Sequence, residues 1–328
     1  MKDLFKINLQ LFAEMNTNVT SDSGMSVEMK TFYDMTLIDE AQPNLVHGQF
    51  GQKRPIPANG GKKIEFRKFA SLPKATTPLT EGVTPDGKKL TAEKIEAEVS
   101  QYGDYIVQSD VLELTSIDNT IVEATKVLGN QAGLTLDTID RNVLQSGTNV
   151  YYCPKADGTA VSSRSALDDT CKLTVDVVKR VVTILKKNNA PRINGDYVAI
   201  IHPYVAYDLM SDPAWIEAHK YATPENIYEG EIGKVAGVRF VETSEAKIYE
   251  GGVFGSLFLA DGAYGTTEIT GGGLQTIVKQ KGSAGTADPL DQRSSIGWKA
   301  MRTAEILIEP YMMRVESKSA FSADAEAN

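Results

Sequence analysis

The sequence has few of the side chains that build metal centres and catalytic triads, with 2 cysteines and 3 histidines in 328 residues. Cys153 and Cys171 form no Cys-x-x-Cys pair and have no histidine nearby, so we predict unpaired structural thiols in a reducing compartment. His47, His202 and His219 share no ligand spacing, and we expect polar surface or turn positions for them. The sequence therefore predicts no catalytic residue, no metal site and no cofactor.

Long apolar runs and an excess of basic charge are also absent. No run reaches the roughly 18 apolar residues of a membrane-spanning helix, so we expect no contact with a membrane. The 34 basic residues are outnumbered by 43 acidic ones, and the net charge of -9 argues against a duplex-DNA binder with a basic face. Gly230–Lys234 and Gly271–Gly273 lack the spacing of phosphate-binding or dinucleotide-binding loops and are interpreted as a tight turn and a connector. These absences predict a protein that is not an enzyme.

The longest predicted element is a helix from Thr115 to Gly147. Its apolar residues recur on one face over about eight turns: Ile121, Leu128, Ala132, Leu136, Ile139 and Val143. Thr115 and Asp118 fit a capping box, and Gly147 fits a left-handed stop. At ~1.5 Å per residue this helix would be about 45 Å long, which predicts a spine for the whole chain.

A long hairpin is predicted before the spine. Alternating patterns predict strands at Lys62–Phe69 and Ile95–Val107, and the tract Ser71–Leu90 between them is rich in proline, glycine and lysine. A two-stranded hairpin is marginal in water by itself, so it should lie on another body. We predict that Lys74, Lys88 and Lys89 in this tract contact a neighbouring subunit.

The other predicted elements mix helices and strands, which indicates an α+β fold. A short helix is predicted within Glu28–Asp39, and Thr148–Asp169 is predicted to be a polar excursion. Thr174 is expected to cap a helix whose inward residues are Val177, Val178, Val181, Val182 and Leu185. Further predicted elements are a buried strand at Tyr197–Ile201, short helices that begin near Pro203 and Pro213, and strands at 238–241, 253–260 and 274–278. Strands at Ser294–Ile308 and Tyr311–Ser319, joined by Glu309-Pro310, form a hairpin-like return.

Several stretches resemble the major capsid proteins of tailed bacteriophages. They are Tyr197–Pro203, Asp212-Pro213-Ala214-Trp215 and, above all, Gly230–Thr243 (GEIGKVAGVRFVET). Asp288–Lys299 (DPLDQRSSIGWK) is similar to the segment before the final strands of one such family, and Leu79–Gly82 with Gln101–Gly103 resembles its strand-pair region. The resemblance covers about Met29 to Ser319, with the motifs in the family's order and spacing.

The resemblance implies the Hong Kong-type capsid fold, which encapsulin shells and the floor of herpesvirus capsids share. Its parts fall on this chain as an N-terminal arm (1–29), an extended loop (62–107), a peripheral domain with the spine helix (30–61, 108–190 and 282–320), an axial domain (191–281) and a flexible tail (321–328). No long scaffold-like domain precedes the body, so we expect a separate scaffolding protein.

The resemblance also implies a function, that of a major capsid (head) protein that self-assembles into an icosahedral shell around phage DNA. The implied partners are copies of itself in hexamers and pentamers, scaffolding, portal and decoration proteins, and DNA enclosed without sequence-specific binding. The implied location is the virion, after assembly in the cytoplasm of the bacterial host. Two alternatives stay open at this stage: an encapsulin-like nanocompartment that binds cargo peptides, and a hydrolase whose Ser or Asp groups the sequence does not reveal.

Overall fold

The structure is a computed structural model that describes residues 35–41, 45–57, 59–69, 72–79, 81–84, 86–116, 120–220, 233–283, 288–322 and 325–328. The predicted N-terminal arm at 1–29 and the glycine-containing run 230–232 lie outside these residues. Helices and strands are mixed along the chain, and distant strands pair, which confirms the predicted α+β class. Within the described ranges, no helix has the length and apolar character needed to cross a bilayer.

The predicted spine is helix α3 (Thr120–Gln145), which follows the shorter helices α1 (residues 35–41) and α2 (Asp110–Thr115). Thr115 ends α2, where its hydroxyl donates to the Val111 carbonyl, so the prediction that Thr115 starts the spine is wrong. With 26 residues, α3 is about 39 Å long. Gly147 has no left-handed φ; a Cβ there would lie 2.8 Å from Met312 Cε, so close packing explains this glycine.

One sheet packs against α3. Among the described residues its five strands are β1 (Gln52–Lys53), β4 (Ser100–Ser109), β11 (Tyr264–Thr267), β12 (Gln275–Lys279) and β13 (Arg293–Ile306). β13 is the central strand and pairs antiparallel with β4, β11 and β12. Its Ile296, Trp298 and Ala300 are buried against Leu128 and Leu136 of α3, so the predicted apolar face of the spine covers this sheet.

A second sheet forms the larger core. Its seven described strands are β5 (Val150–Tyr152), β6 (Tyr197–Ile201), β7 (Lys234–Val235), β8 (Val238–Glu242), β9 (Ile248–Tyr249), β10 (Val253–Leu259) and β14 (Met312–Ser317). Helices α4 (Val175–Lys187), α5 (Pro203–Met210) and α6 (Pro213–Lys220) accompany it. As predicted, Thr174 caps α4 by accepting from the Val177 amide, and the valines of α4 are buried. The fully buried β6 is also confirmed.

Three strand predictions need correction. The strand predicted over Ile95–Val107 is two strands, because β4 leaves the hairpin and pairs with β13. The closing strands β13 and β14 do not form a hairpin: β14 pairs with β5 and β10 in the other sheet. β5 inside the predicted polar excursion Thr148–Asp169, and β11, are strands that the sequence patterns did not indicate.

The remaining strands form the predicted hairpin. β2 (Lys63–Phe69) and β3 (Ala92–Glu98) pair antiparallel, with Phe66 opposite Ile95.

Helices and strands on both sides of the predicted domain boundary at residue 191 share one core. Residues of α4, which precedes the boundary, pack there with residues of β6 and β14, which follow it. β11 and β12, predicted in the axial segment, pair with β13 of the α3 body.

Candidate assembly surfaces

The β2–β3 hairpin is anchored to the body at its base. Phe66, Ala97 and Val99 are buried, whereas most other described side chains of the two strands are exposed. Phe66 packs on β11, where a Cβ at Gly265 would lie 3.0 Å from the Phe66 ring. Seven paired residues on each strand carry the hairpin about 23 Å outward. The hairpin therefore presents its far end away from the subunit's own core.

The tract between these strands is irregular in its described residues and exposed throughout. Lys74, Lys88 and Lys89, the predicted contact residues, are all on its surface. Large apolar side chains are exposed beside them, at Leu72, Leu79, Val83 and Leu90. The predicted contact residues include only the lysines and none of these three leucines or Val83, whose isolation among polar residues is a signal present in the sequence. The tract thus combines positive charge with uncovered apolar surface.

A second apolar surface lies on the side of the first sheet that faces away from α3. Tyr105 and Val107 on β4 and Ile277 on β12 alternate with side chains that face α3, and all three are exposed. Helix α2 follows β4 directly in the chain and has no buried residue, and its Leu114 is 80% exposed. Tyr105 and Ile277 both lie opposite Gly297 of β13, and neighbouring exposed apolar side chains mark a contact with another molecule more often than isolated leucines do.

A buried polar cluster fixes the segment that leads into the hairpin. Asp137 on α3 accepts hydrogen bonds from the amides of Val46 and His47 (2.8 and 2.7 Å) and contacts His47 Nδ1 at 2.6 Å. One turn further, Asp140 Oδ2 accepts from Arg302 Nε and Nη2 at 2.9 and 2.6 Å. Both aspartates and His47 are fully buried. The cluster joins three distant stretches of chain: residues 45–48, α3 and β13.

Electrostatics in this cluster follow from its burial. Burial raises the pKa of the Asp140 carboxyl, and the Arg302 guanidinium opposes that rise. Tyr264 of β11 donates its hydroxyl to the His47 carbonyl, and burial raises the pKa of that phenol far above its usual value. Tyr264 therefore stays neutral and acts as a hydrogen-bond donor at any physiological pH.

A second polar cluster closes the last turn of α3. Arg314 on β14 donates Nη1 to the carbonyls of Gln145 and Gly147. Its Nε lies 3.0 Å from the buried carboxylate of Glu316, which also accepts two hydrogen bonds from Arg164. The final carbonyls of a helix have no intrahelical partner, so this guanidinium satisfies them. It also ties α3 to the second sheet.

Two of the three histidine side chains, and both cysteines, lie among the described residues. His47 is in a turn, one of the two positions predicted for the histidines, and it is fully buried there. His202 caps α5 by accepting from the Tyr204 amide, and burial lowers the pKa of its ring to about 4. The side chain of His219 lies outside the described residues. Cys153 and Cys171 are free and buried, which confirms the predicted structural thiols.

Comparison with known proteins gives this arrangement a context. A family model described as phage capsid protein matches residues 126–267, from α3 to β11. A comparison with curated proteins by sequence found no match. The structure is similar to the capsid of cyanophage Pam1 (TM-score 0.65, 12% identity, 86% of this chain and 93% of that chain). It is also similar to the capsid of cyanophage P-SCSP1u (TM-score 0.64, 16% identity, 83% and 87%).

A more distant match is the virus-like particle from Pyrococcus furiosus, with a TM-score of 0.52 and 10% identity over 88% of this chain and 99% of that chain. At these identities the likeness is one of fold. The chain has the Hong Kong-type fold of tailed-phage capsid proteins, which confirms the resemblance found in the sequence.

Proposed function

We propose that this chain is the major capsid protein of a tailed bacteriophage and assembles with copies of itself into the icosahedral shell that encloses the DNA genome. The observation that carries the proposal is the fold, which this chain shares with phage capsid subunits over most of both chains. The family model for phage capsid proteins, matched through the spine and the second sheet, supports the same function.

Two uncovered surfaces support self-assembly. The hairpin tract and the exposed side chains of β4 and α2 place leucine, valine and tyrosine in contact with water. Exposed apolar side chains in such numbers do not stabilise a monomer and are typical of surfaces that bind another molecule. In a shell, each subunit would cover such surfaces with neighbours, in hexamers and pentamers. The hairpin and its tract could contribute an interface of standard size, roughly 800 Å² per partner.

In this proposal Lys74, Lys88 and Lys89 make the electrostatic part of the hairpin contact. The tract has three lysines against Glu81 and Asp86, a net charge of 3 - 2 = +1, and a neighbouring copy carries -9, so the net charges are opposite in sign. We further propose that the body of α3 and the first sheet is the peripheral domain and the body of the second sheet is the axial domain. Scaffolding, portal and decoration proteins would be further partners, and the shell would form in the host cytoplasm and end in the virion.

The test is electron microscopy of particles formed by the expressed full chain, with nucleic acid inside assayed after nuclease treatment of the outside. A matched variant replaces residues 71–90 with a short Asn-Gly turn, which β2 and β3 can accept as a tight hairpin. We expect shells from the full chain, and a folded subunit without shells from the variant. Circular dichroism and thermal melting establish that the variant is folded.

Three outcomes would contradict parts of this proposal. Normal shells from the shortened variant would show that assembly does not require the hairpin tract. Particles from infected cells that hold cargo protein in place of DNA would support the nanocompartment alternative. A small soluble oligomer with substrate turnover would support the hydrolase alternative.

A further inference from the structure

His202 joins the fully buried strand β6 to helix α5, and its ring caps the first turn of that helix. The Tyr204 amide donates to His202 Nδ1 at 3.1 Å, in the place that a serine, threonine or aspartate oxygen usually takes. A backbone amide can only donate, so Nδ1 is the acceptor and the proton of the neutral ring is on Nε2. The cap therefore exists only while Nδ1 carries no proton.

The surroundings of this ring are mostly aromatic. His202 is 7% exposed, and its ring centroid lies 4.7 Å from that of Tyr204 and 5.0 Å from that of Phe254. Burial lowers the pKa of the imidazole from 6.5 to about 4, because a charged ring would lose its hydration there. The folded protein thus holds this histidine in its neutral form at neutral pH.

The residues that follow β14 bind to the helix that His202 caps. Ser319 donates its hydroxyl to the Tyr204 carbonyl at 3.0 Å, and the Ala320 amide donates to Asp208 Oδ2 at 3.0 Å. The Phe321 ring lies 4.5 Å from the Tyr204 ring. We call residues 319–321 the strap. Each of these contacts is made to α5, so the position of the strap depends on the position of the helix.

The groups that face His202 come from α5, β10, β8 and the strap. α5 contributes Tyr204 and, one turn further, Asp208, whose carboxylate accepts from the strap. β10 contributes the apolar Phe254. β8 places Glu242 opposite Ile201, with the glutamate side chain exposed. Among the described residues no carboxylate forms an ion pair with the imidazole, and a proton on it would add positive charge at the positive end of the α5 dipole.

We propose that His202 is an acid-sensitive switch that controls whether α5 and the strap stay docked on the second sheet. A proton from water adds to Nδ1, and the hydrogen bond from the Tyr204 amide breaks because two donors then face each other. The new N–H is the only covalent bond that forms. The first turn of α5 separates from the sheet, and the strap separates with it. The switch belongs to the single subunit and operates with or without a shell.

The direction of the pH dependence follows from the state that binds the proton more tightly. The undocked histidine has an ordinary pKa of 6.5, whereas the docked one has a pKa of about 4. The undocked state therefore takes up more protons between these values. Docking is fully stabilised above pH 6.5, weakens as the pH falls below 6.5, and is weakest at and below about pH 4.

The test is amide hydrogen exchange of the full chain at pH 7 and pH 5, corrected for the intrinsic rate and measured by mass spectrometry. Protection of the α5 amides and of the Ala320 amide reports docking, and in the unaltered protein we expect it to fall about 20-fold. In His202→Asn the side-chain oxygen caps the helix without titrating, so we expect a change of less than about twofold. Helix α4, which the Thr174 hydroxyl caps, is the internal control in both proteins.

A second measurement needs no variant. Exchange of the hydrogen on C2 of the imidazole, also measured by mass spectrometry, gives the apparent pKa of His202 in particles or in free subunits. We expect about 4 in the folded protein and about 6.5 after denaturation. An ordinary value in the folded protein, unchanged protection of α5 between the two pH values, or an equal loss in His202→Asn would overturn the proposal. A loss in α4 as large as that in α5 would also overturn it, because the whole subunit would then be unfolding.

Discussion

Gly48 determines whether Arg302 can reach Asp140. A Cβ at position 48 would lie 2.5 Å from Asp140 Oδ2 and closer still to the Arg302 guanidinium. We therefore expect Gly48→Ala to reduce the free energy of unfolding by roughly 1–3 kcal/mol, the usual cost of overpacking. Gly87→Ala is the matched control, because a Cβ there meets no atom within 4 Å. Urea denaturation of both variants is the measurement, and an equal effect of the two would contradict this account.

His47 shows why single residues were the hardest part to predict. The sequence places it in a loop, which favours a polar surface or turn position and gives no sign of complete burial. Its burial depends on Asp137, which is 90 residues away. Phe66 is similar, since the alternation of β2 predicted an apolar side but not that Gly265 would receive the ring. Residues whose environment comes from distant segments carry no local signal of it.

Among the elements, the C-terminal end of α3 is stabilised by a residue of the second sheet. Arg314 donates to the last carbonyls of α3, and its side chain pairs with the fully buried Glu316. We expect Arg314→Ala to destabilise the protein by roughly 3–5 kcal/mol, because it leaves a buried charge with one partner fewer. Arg180→Ala removes an exposed i,i+4 pair with Asp176 that solvent screens, so it should leave the unfolding midpoint almost unchanged. Thermal unfolding separates them, and similar midpoints would exclude the closing role of Arg314.

The elements themselves were largely predictable where local patterns are strong. The valine face of α4, the capping Thr174 and the apolar run of β6 all gave the correct element. Strand pairing was not predictable in the same way. Glu309-Pro310 separates β13 and β14 like a hairpin turn, yet β13 pairs with β12, β11 and β4 instead. The separations run from 295 − 279 = 16 residues on β12 to 302 − 100 = 202 residues on β4. Proximity in sequence favours a hairpin, but the burial of both strands in different cores outweighs it.

For the whole molecule, the fold came from the resemblance and not from the patterns alone. A lone long helix, an unsupported hairpin and a strand-rich last third fit many α+β arrangements. The order and spacing of Gly230–Thr243 and Asp288–Lys299 selected one of them. Two polar clusters on the C-terminal half of α3 explain how the spine holds both sheets. Asp140 accepts from Arg302 of the first sheet, and the Gln145 carbonyl accepts from Arg314 of the second sheet. No sequence motif indicated either cluster.

The charge of the hairpin tract gives a prediction for the assembled particle. Replacing Lys74, Lys88 and Lys89 with glutamate should lower the yield of shells, because three changes of -2 take each subunit from -9 to -15 and give the tract the same sign as its neighbours. The unaltered protein should lose assembly as salt increases, since exposed charges are screened over about 8–10 Å at 0.1–0.15 M.

The matched control replaces the same three lysines with arginine, which keeps the charge and alters the shape of the side chains. Light scattering across a salt series, with particle counts by microscopy, is the measurement. We expect the arginine variant to follow the unaltered protein and the glutamate variant to assemble poorly at every salt concentration. If the glutamate variant assembles with the same yield and salt dependence, the contact rests on Leu72, Leu79, Val83 and Leu90 and the lysines serve only to keep the tract in water.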